Sequence, residues 1–458
     1  MADNAFSRFV GMLTSGVAAP PRFLHSDTVR TAARFVAAAS LVVVTALWLA
    51  GRDAAPQGVA AAGRLAGLWS ADLLLLQVVL MARIPWLEHT YGRDTLARWH
   101  RWTGHASLHL LLAHVGLALA ARPAPTWWPL LTGDLSMIVA VLGLAALILV
   151  VGTSVRSVRR RLRYESWHLL HLYAYLGVAL ALPHELVLGS DLQSTAARVY
   201  WWGAYLLAAG ATVLFRLGLP VWRTLRHRLA VDKVVPEAPG LVSVYLTGRR
   251  LDRLPARAGQ YFVWRFLDGR GALRGNPFSL SGPPRADRLR ITVKTVGDGT
   301  ARVAALRAGT RVLIEGPYGR MTADTYSGGP VTMLACGVGV TPLLALLWDL
   351  PYGHAKATLV YRTRHPADVA FLPELEWLAR RRGVRLVPLV GPRAAPGSWL
   401  PAGYADYTDT EALRSLAPDL AEHDVYVCGP DAWTDAVLRA ARALGVPPAR
   451  LHRERFAW

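Results

Sequence analysis

The chain has 458 residues, 53% of them hydrophobic and only 18% charged, with a mean hydropathy of +0.27, which excludes an ordinary soluble protein and leaves room for two or three domains. The formal net charge of +20 comes almost wholly from arginine, Lys occurring only at 233, 294 and 356. In the first half those arginines fall in alternate loops between apolar runs, a pattern of membrane orientation rather than of nucleic-acid binding.

Residues 1–28 read as a cytosolic lead-in, with a short interfacial helix at Phe6–Leu13 and no signal peptide. Six apolar segments follow, at about 31–50, 64–84, 102–121, 134–153, 167–188 and 197–219, each near the length that spans a bilayer. They predict a six-helix transmembrane domain over 29–228. Arginines 83, 93, 98 and 101, then 156, 159, 160, 161 and 163, then 216, 223, 226 and 228 mark every second loop, so both termini are expected in the cytoplasm. Asp72, Arg122 and Glu185 read as ordinary interfacial residues on the outer side.

Two histidine pairs lie in the third and fifth segments. His100 and His114 are 14 residues apart, so they share a helix face and stand roughly 20 Å apart along it. His105 and His109 point elsewhere. His171 and His184 are 13 apart and about 140° out of phase on an ideal helix. A kink or π-turn at Pro183 is expected to re-aim one of them, with His168 as a substitute for His171. Imidazole-only ligation from two helices, repeated at that spacing, suits two bis-histidine haems better than a compact zinc site.

From about 229 the texture becomes short alternating strands between Gly/Pro turns, and from about 329 strands alternate with helices. A β-barrel over 229–326 and an α/β nucleotide-binding domain over 327–458 are expected. Asn276-Pro277-Phe278-Ser279 places an aromatic and a hydroxyl side by side. Lys294-Thr-Val-Gly-Asp-Gly299-Thr300 and Glu315-Gly-Pro-Tyr-Gly319 follow. Cys336-Gly337-Val-Gly339-Val-Thr341-Pro342 closes an apolar strand and opens a helix, where glycines let backbone approach a pyrophosphate. Arg362 and Arg364 end the next strand, as a 2′-phosphate would need. Cys428-Gly429-Pro430 ends a later one, and the sequence closes Glu454-Arg-Phe456-Ala-Trp458. Cys336 and Cys428 form no disulfide scaffold, which fits a reducing compartment.

In this order the motifs resemble the ferredoxin–NADP reductase superfamily. Joined to six spans with paired histidines, and with His100-Arg-Trp-Thr-Gly104 and Tyr164-Glu-Ser-Trp167-x-x-x-His171, the sequence from about 30 to 458 resembles the ferric reductase / NADPH oxidase family in its bacterial form. The resemblance implies FAD, NADPH (NADH as the alternative) and two b-type haems, held by His100 with His171 and His114 with His184. It puts Phe278 against the isoalloxazine and Ser279 near its reactive nitrogen. Lys294, Gly299 and Thr300 would lie by the FAD phosphates, and Asn276 and Pro277 would belong to the cofactor-binding set beside Phe278. Gly337, Gly339, Thr341 and Pro342 would hold the NADPH pyrophosphate. Cys428, flanked by Gly429 and Pro430, would lie near the nicotinamide, with Phe456 or Trp458 shielding the flavin. Asn276 departs from the family, which usually has Arg or His there.

The implied activity is electron transfer from cytosolic NADPH through FAD and two haems to dioxygen or ferric iron outside a plasma membrane. A haem-free flavin reductase serving a partner, and a histidine-relay transporter, are the alternatives. No nucleic acid, obligatory protein partner or calcium loop is expected.

Overall fold

A computed structural model describes residues 26–51, 58–162, 164–188, 192–269 and 274–454. The lead-in helix at Phe6–Leu13 lies outside the described residues, as do Arg163, Phe456 and Trp458. The chain divides into two compact units, meeting at Leu217/Gly218.

The first unit is helical: α1 (Ser26–Ala50), α2 (Val59–Leu80), α3 (Pro85–Tyr91), α4 (Arg93–Ala120), α5 (Trp127–Thr132), α6 (Leu135–Ser154), α7 (Tyr164–Leu188) and α8 (Thr195–Ala211). Four helical runs among the described residues are long and apolar enough to cross a membrane: α2, α4, α6 and the run Thr195–His227. The third apolar segment begins earlier than the 102 expected. Gly92, at φ 74°, breaks the chain after α3, and α4 then starts at Arg93, so His100 lies well inside it. Small residues let neighbouring helices close up. A Cβ on Gly143 of α6 would stand 2.8 Å from the Gly177 carbonyl of α7. Asp134 caps α6, accepting from the Ser136 N–H at 2.7 Å.

Two readings change here. Asp72 is no interfacial residue: it is 5% exposed on α2 and accepts from Ser40 Oγ of α1 (2.9 Å) and Tyr200 Oη of α8 (2.6 Å). A carboxylate within an apolar bundle requires such partners. Glu185 likewise accepts from Tyr205 Oη. And α7 runs as α-helix through Pro183 with no π-turn; the π-helical stretch lies instead at Thr212–Gly218, after α8.

The second unit begins ahead of the boundary read at 229, because α9 (Leu219–His227) packs on its strands. Arg223 donates to the Gly316 carbonyl, Thr224 Oγ1 accepts from the Ile314 N–H (3.3 Å), and the His227 carbonyl accepts from the Arg249 N–H (2.7 Å). The strands are β1 (Ala230–Ala238), β2 (Leu241–Thr247), β3 (Tyr261–Phe266), β4 (Asn276–Ser279), β5 (Arg288–Lys294) and β6 (Val312–Tyr318), with α10 (Asp298–Ala304) between the last two. They form two antiparallel three-stranded sheets, β1-β2-β5 and β4-β3-β6. The sheets share one core, in which Leu246 and Ile291 of the first meet Phe262 and Trp264 of the second.

A parallel five-stranded sheet follows, in the order β11-β10-β7-β8-β9, from β7 (Val331–Cys336), β8 (Ala357–Thr363), β9 (Arg385–Val390), β10 (Asp424–Cys428) and β11 (Leu451–Glu454). Both faces are apolar, as a parallel sheet covered on two sides requires. Helices α11 (Val340–Asp349), α12 (Leu372–Arg382), α13 (Asp409–Leu416) and α14 (Asp431–Ala443) connect the strands. The order reverses at β7, so the crevice between β7 and β10 is the switch point at which such sheets bind ligands. A buried ion pair ties this sheet's domain to the antiparallel strands. Arg290 of β5 and Glu374 of α12 meet through both guanidinium nitrogens, Arg290 also donating to the Ser281 carbonyl.

Candidate functional site

In the helical unit the structure brings the four histidines together in two pairs. His100 and His171 have ring centres 5.9 Å apart, and His114 and His184 6.5 Å. His105 and His109 are exposed, His109 Nδ1 turning back to the His105 carbonyl. His168 lies beside Trp167, the rings 6.5 Å apart and tilted by 46°, and it is His171 that pairs with His100.

Each ring's second nitrogen shows which way it faces. His114 Nδ1 lies 2.8 Å from the Gly63 carbonyl and His100 Nδ1 3.2 Å from the Gln77 carbonyl. A carbonyl only accepts, so both Nδ1 atoms carry the proton and both Nε2 atoms keep a lone pair. Ser154 Oγ gives its proton to the Val150 carbonyl (2.7 Å) and accepts from Trp167 Nε1 (3.3 Å). It therefore accepts from His171 Nδ1 as well (3.2 Å). His184 Nδ1 is buried with no partner among the described residues. Gln77, Gly63 and Ser154 carry no motif, and sequence reasoning passed over them.

The second unit holds the remaining described candidates, some on the antiparallel strands and some at the crevice. In β4, Phe278 is half-buried against the shared core, and its carbonyl accepts from Trp264 Nε1 (2.9 Å). Ser279 is 3% exposed, pairs in register with Tyr261, and its Oγ has no partner among the described residues. Pro277 pairs with Val263 and Asn276 with Trp264.

Asn276, Arg274, Gly299, Arg302 and Asp268 line a shallow depression open to solvent. Asn276 spends its amide hydrogens at the strand edge, Nδ2 donating to the Arg274 carbonyl (3.1 Å) and towards that of Trp264 (3.4 Å). The Arg274 guanidinium instead lies over Gly299, where an added Cβ would stand 3.2 Å from Nη1. Sequence reasoning missed Arg274. Its signal was the spacing, since residues i and i+2 of an extended run share a face. Arg302 is engaged by Asp268 (2.5 and 2.8 Å). Thr300 Oγ1 closes its own turn, accepting from the Val296 and Gly297 N–H groups, and Lys294 is exposed at the end of β5.

At the switch point, Gly337 has φ 56° with open space around its Cα. Gly339 packs directly on the Cys428 carbonyl, where a side chain would collide. Thr341 and Pro342 are buried, Thr341 Oγ1 donating to the Val338 carbonyl (2.9 Å), so they build the turn. Gly429 is pressed between Cys336 and Trp433, and Pro430 starts α14. Cys428 is fully buried, in register with Glu454, and burial pushes its thiol well above the ordinary range. Glu454 reaches the Gly319 turn beside Tyr261. Arg362 is buried beside Cys336, and its Nε has no partner among the described residues. Burial holds its guanidinium below the ordinary pKa, with Arg393 and Arg364 adding repulsion. Arg393 was not singled out from the sequence, because it lies one strand further on.

Comparison with known proteins meets this arrangement from both ends. Residues 66–182 match the family model "Ferric reductase like transmembrane component", and residues 333–439 match "Oxidoreductase NAD-binding domain". The chain thus joins a segment similar to ferric reductase transmembrane components to one similar to oxidoreductase NAD-binding domains. The chain is 28% identical over 243 residues to the glycine betaine monooxygenase reductase subunit of Chromohalobacter salexigens, covering 51% of this chain and 65% of that one. It is 30% identical over 238 residues to the ferredoxin reductase component of 3-ketosteroid-9-alpha-monooxygenase from Mycolicibacterium smegmatis (50% and 65%). A flavohemoprotein of Xylella fastidiosa is 27% identical over 304 residues (62% and 74%). The chain thus spans just under two thirds of the length of the first two. The segment similar to ferric reductases holds three of the four helical runs long and apolar enough to cross a membrane in whole or part, and the second unit holds the segment similar to NAD-binding domains.

Proposed function

We propose that the protein is a ferric reductase-type NAD(P)H oxidoreductase that carries electrons across a plasma membrane, from cytosolic NADPH to dioxygen or ferric iron outside, with FAD and two b-type haems as resident carriers. Six spans with both ends cytoplasmic and a β-barrel of the two antiparallel sheets complete this reading. When bound, the flavin turns a two-electron hydride donor into single electrons and the haems relay them.

The observation that carries the reading is the pair of imidazole separations. Two imidazoles that shared one metal ion, each at about 2.0–2.1 Å and with about 1.1 Å from nitrogen to ring centre, would have ring centres roughly 6.3 Å apart. The observed 5.9 and 6.5 Å bracket that value. Three of the four rings turn Nδ1 to an acceptor, which leaves Nε2 for the metal, as ligating histidines ordinarily do. His100 with His171 would form the inner site and His114 with His184 the outer one.

In the other unit, Ser279 Oγ, buried and unpartnered, would hydrogen-bond the flavin beside Phe278, and Tyr261 and Tyr318 would flank it. Arg274, rather than Asn276, would supply charge to the FAD diphosphate. The Gly337 turn would receive the nucleotide pyrophosphate. Arg362, Arg364 and Arg393 together favour the 2′-phosphate of NADPH over NADH. Cys428 stays protonated near the nicotinamide.

The purified full chain tests this directly. Dithionite should develop a b-type Soret shift with two haems per FAD, and His171→Ala should remove one. NADPH oxidation with oxygen or ferric chelates, with and without superoxide dismutase, identifies the acceptor. A preparation with FAD but no haem would refute the reading and favour a flavin reductase that serves a partner, as the names of the monooxygenase relatives indicate for them.

A further inference from the structure

Helix α2 carries no histidine, yet both α4 imidazoles lean on it. Gly63, Ser70 and Gln77 of α2 are seven residues apart, and so are His100, Ser107 and His114 of α4. The two series run in opposite directions and meet position for position. His114 Nδ1 donates to the Gly63 carbonyl, and His100 Nδ1 donates to the Gln77 carbonyl. Midway, Ser70 Oγ donates to the Ser107 carbonyl (2.8 Å) and Ser107 Oγ to the Ser70 carbonyl (2.9 Å). Both serines are buried, at 4% and 1% exposure. A seven-residue repeat keeps one seam facing a neighbour along two helices that coil about each other.

Two further details bear on the ligands themselves. A Cβ on Gly67 would stand 2.6 Å from His114 Nδ1 and 3.0 Å from its Cγ and Cε1, so the missing side chain is the space the ring occupies. Gln77 lies in the last turn of α2, where carbonyls lack intrahelical partners, and the Met81 N–H bonds Val78 rather than Gln77. His100 takes the acceptor that the helix end leaves open.

We infer that α2 is the aiming template for both α4 imidazoles: the Ser70–Ser107 clamp sets the register, two α2 carbonyls fix the ring tautomers, and Gly67 gives the outer ring its clearance. These are positioning residues, and the inference rests on the haem reading above. Orienting partners of this kind are worth about ten- to a hundredfold in metal affinity.

The test uses the full-length protein with haem-to-FAD ratio, low-spin electron paramagnetic resonance and potentiometry as readouts. Wild type must first show two low-spin haems; their absence overturns the haem reading itself. Gly67→Ala is expected to shift or remove the outer signal, the ratio falling towards one, while the inner signal is kept. Gly104→Ala lies on the same seam but meets only the flexible end of Gln77 (2.6 Å from Oε1), and it is expected to leave both signals unchanged. A packing role alone would make the two variants equivalent. Unchanged g-values and potentials in Gly67→Ala, or equal disturbance by Gly104→Ala, overturns the inference. Should Gly67→Ala fail to accumulate, the Ser70→Ala/Ser107→Ala double variant decides, since it adds no atoms. It is expected to broaden both signals, and two sharp wild-type signals would overturn the template.

Discussion

Replacing Arg274 by Ala is expected to weaken FAD binding more than replacing Asn276. The motif position belongs to Asn276, but its amide hydrogens go to the carbonyls of Arg274 and Trp264, while the Arg274 guanidinium lies over Gly299 in the depression. A hydrogen bond to a charged group contributes about 1.5–3 kcal/mol, or roughly ten- to a hundredfold in affinity. Arg274 is exposed, so solvent screening moves the expectation to the lower end, about tenfold in Kd. Asn276→Ala should cost under about threefold, because it removes strand-edge bonds and no charge. The assay is fluorescence titration of FAD into deflavinated protein at two ionic strengths; Arg274→Ala should also flatten the salt dependence. If Asn276→Ala loses more affinity than Arg274→Ala, or Arg274→Ala binds like wild type at low salt, the assignment is refuted.

Glu374→Ala should destabilise the second unit by about 3–5 kcal/mol, since it strands the buried Arg290 charge. Thermal release of FAD fluorescence reports it, and the double variant Arg290→Met/Glu374→Leu should recover most of the loss. Iodoacetamide should spare Cys428 even near pH 9. Burial raises that thiol's pKa, so its thiolate fraction stays small where a free cysteine is mostly ionised, as mass mapping of alkylated peptides would show. Arg364→Ala and Arg393→Ala should each raise the KM for NADPH several-fold and leave that for NADH unchanged. Equal effects on both nucleotides would remove these arginines from the 2′-phosphate site.

The nucleotide half was legible because its chemistry is local. A Gly-rich turn between strand and helix, or a Cys-Gly-Pro at a strand end, reads in one window of sequence, and the structure places both at the switch point between β7 and β10. The histidines were partly legible. Helical phase links His100 with His114, but nothing local says that α7 brings His171 and His184 to the same two places, or that it does so without a π-turn. What the sequence hid is side-chain engagement. Asp72 reads as interfacial until Ser40 and Tyr200 close on it, and no local pattern shows that the Asn276 amide bonds the Arg274 carbonyl or that Thr300 Oγ1 closes its own turn. The helix extends ahead of the apolar segment at 102 for a related reason: Arg93, Arg98 and Arg101 lower the hydropathy of a stretch whose backbone is already helical.

The seven-residue steps shared by α2 and α4 also limit how this protein can change. Between Gly63 and Gln77, and between His100 and His114, side chains facing lipid are free to drift, since they touch neither the serine clamp nor the rings. Length is not free. One inserted residue would turn everything beyond it by about 100° and displace it about 1.5 Å along the axis, parting a ring from its carbonyl. Insertions and deletions among related sequences should therefore collect outside these two intervals, and any inside one should be matched by a change in the other.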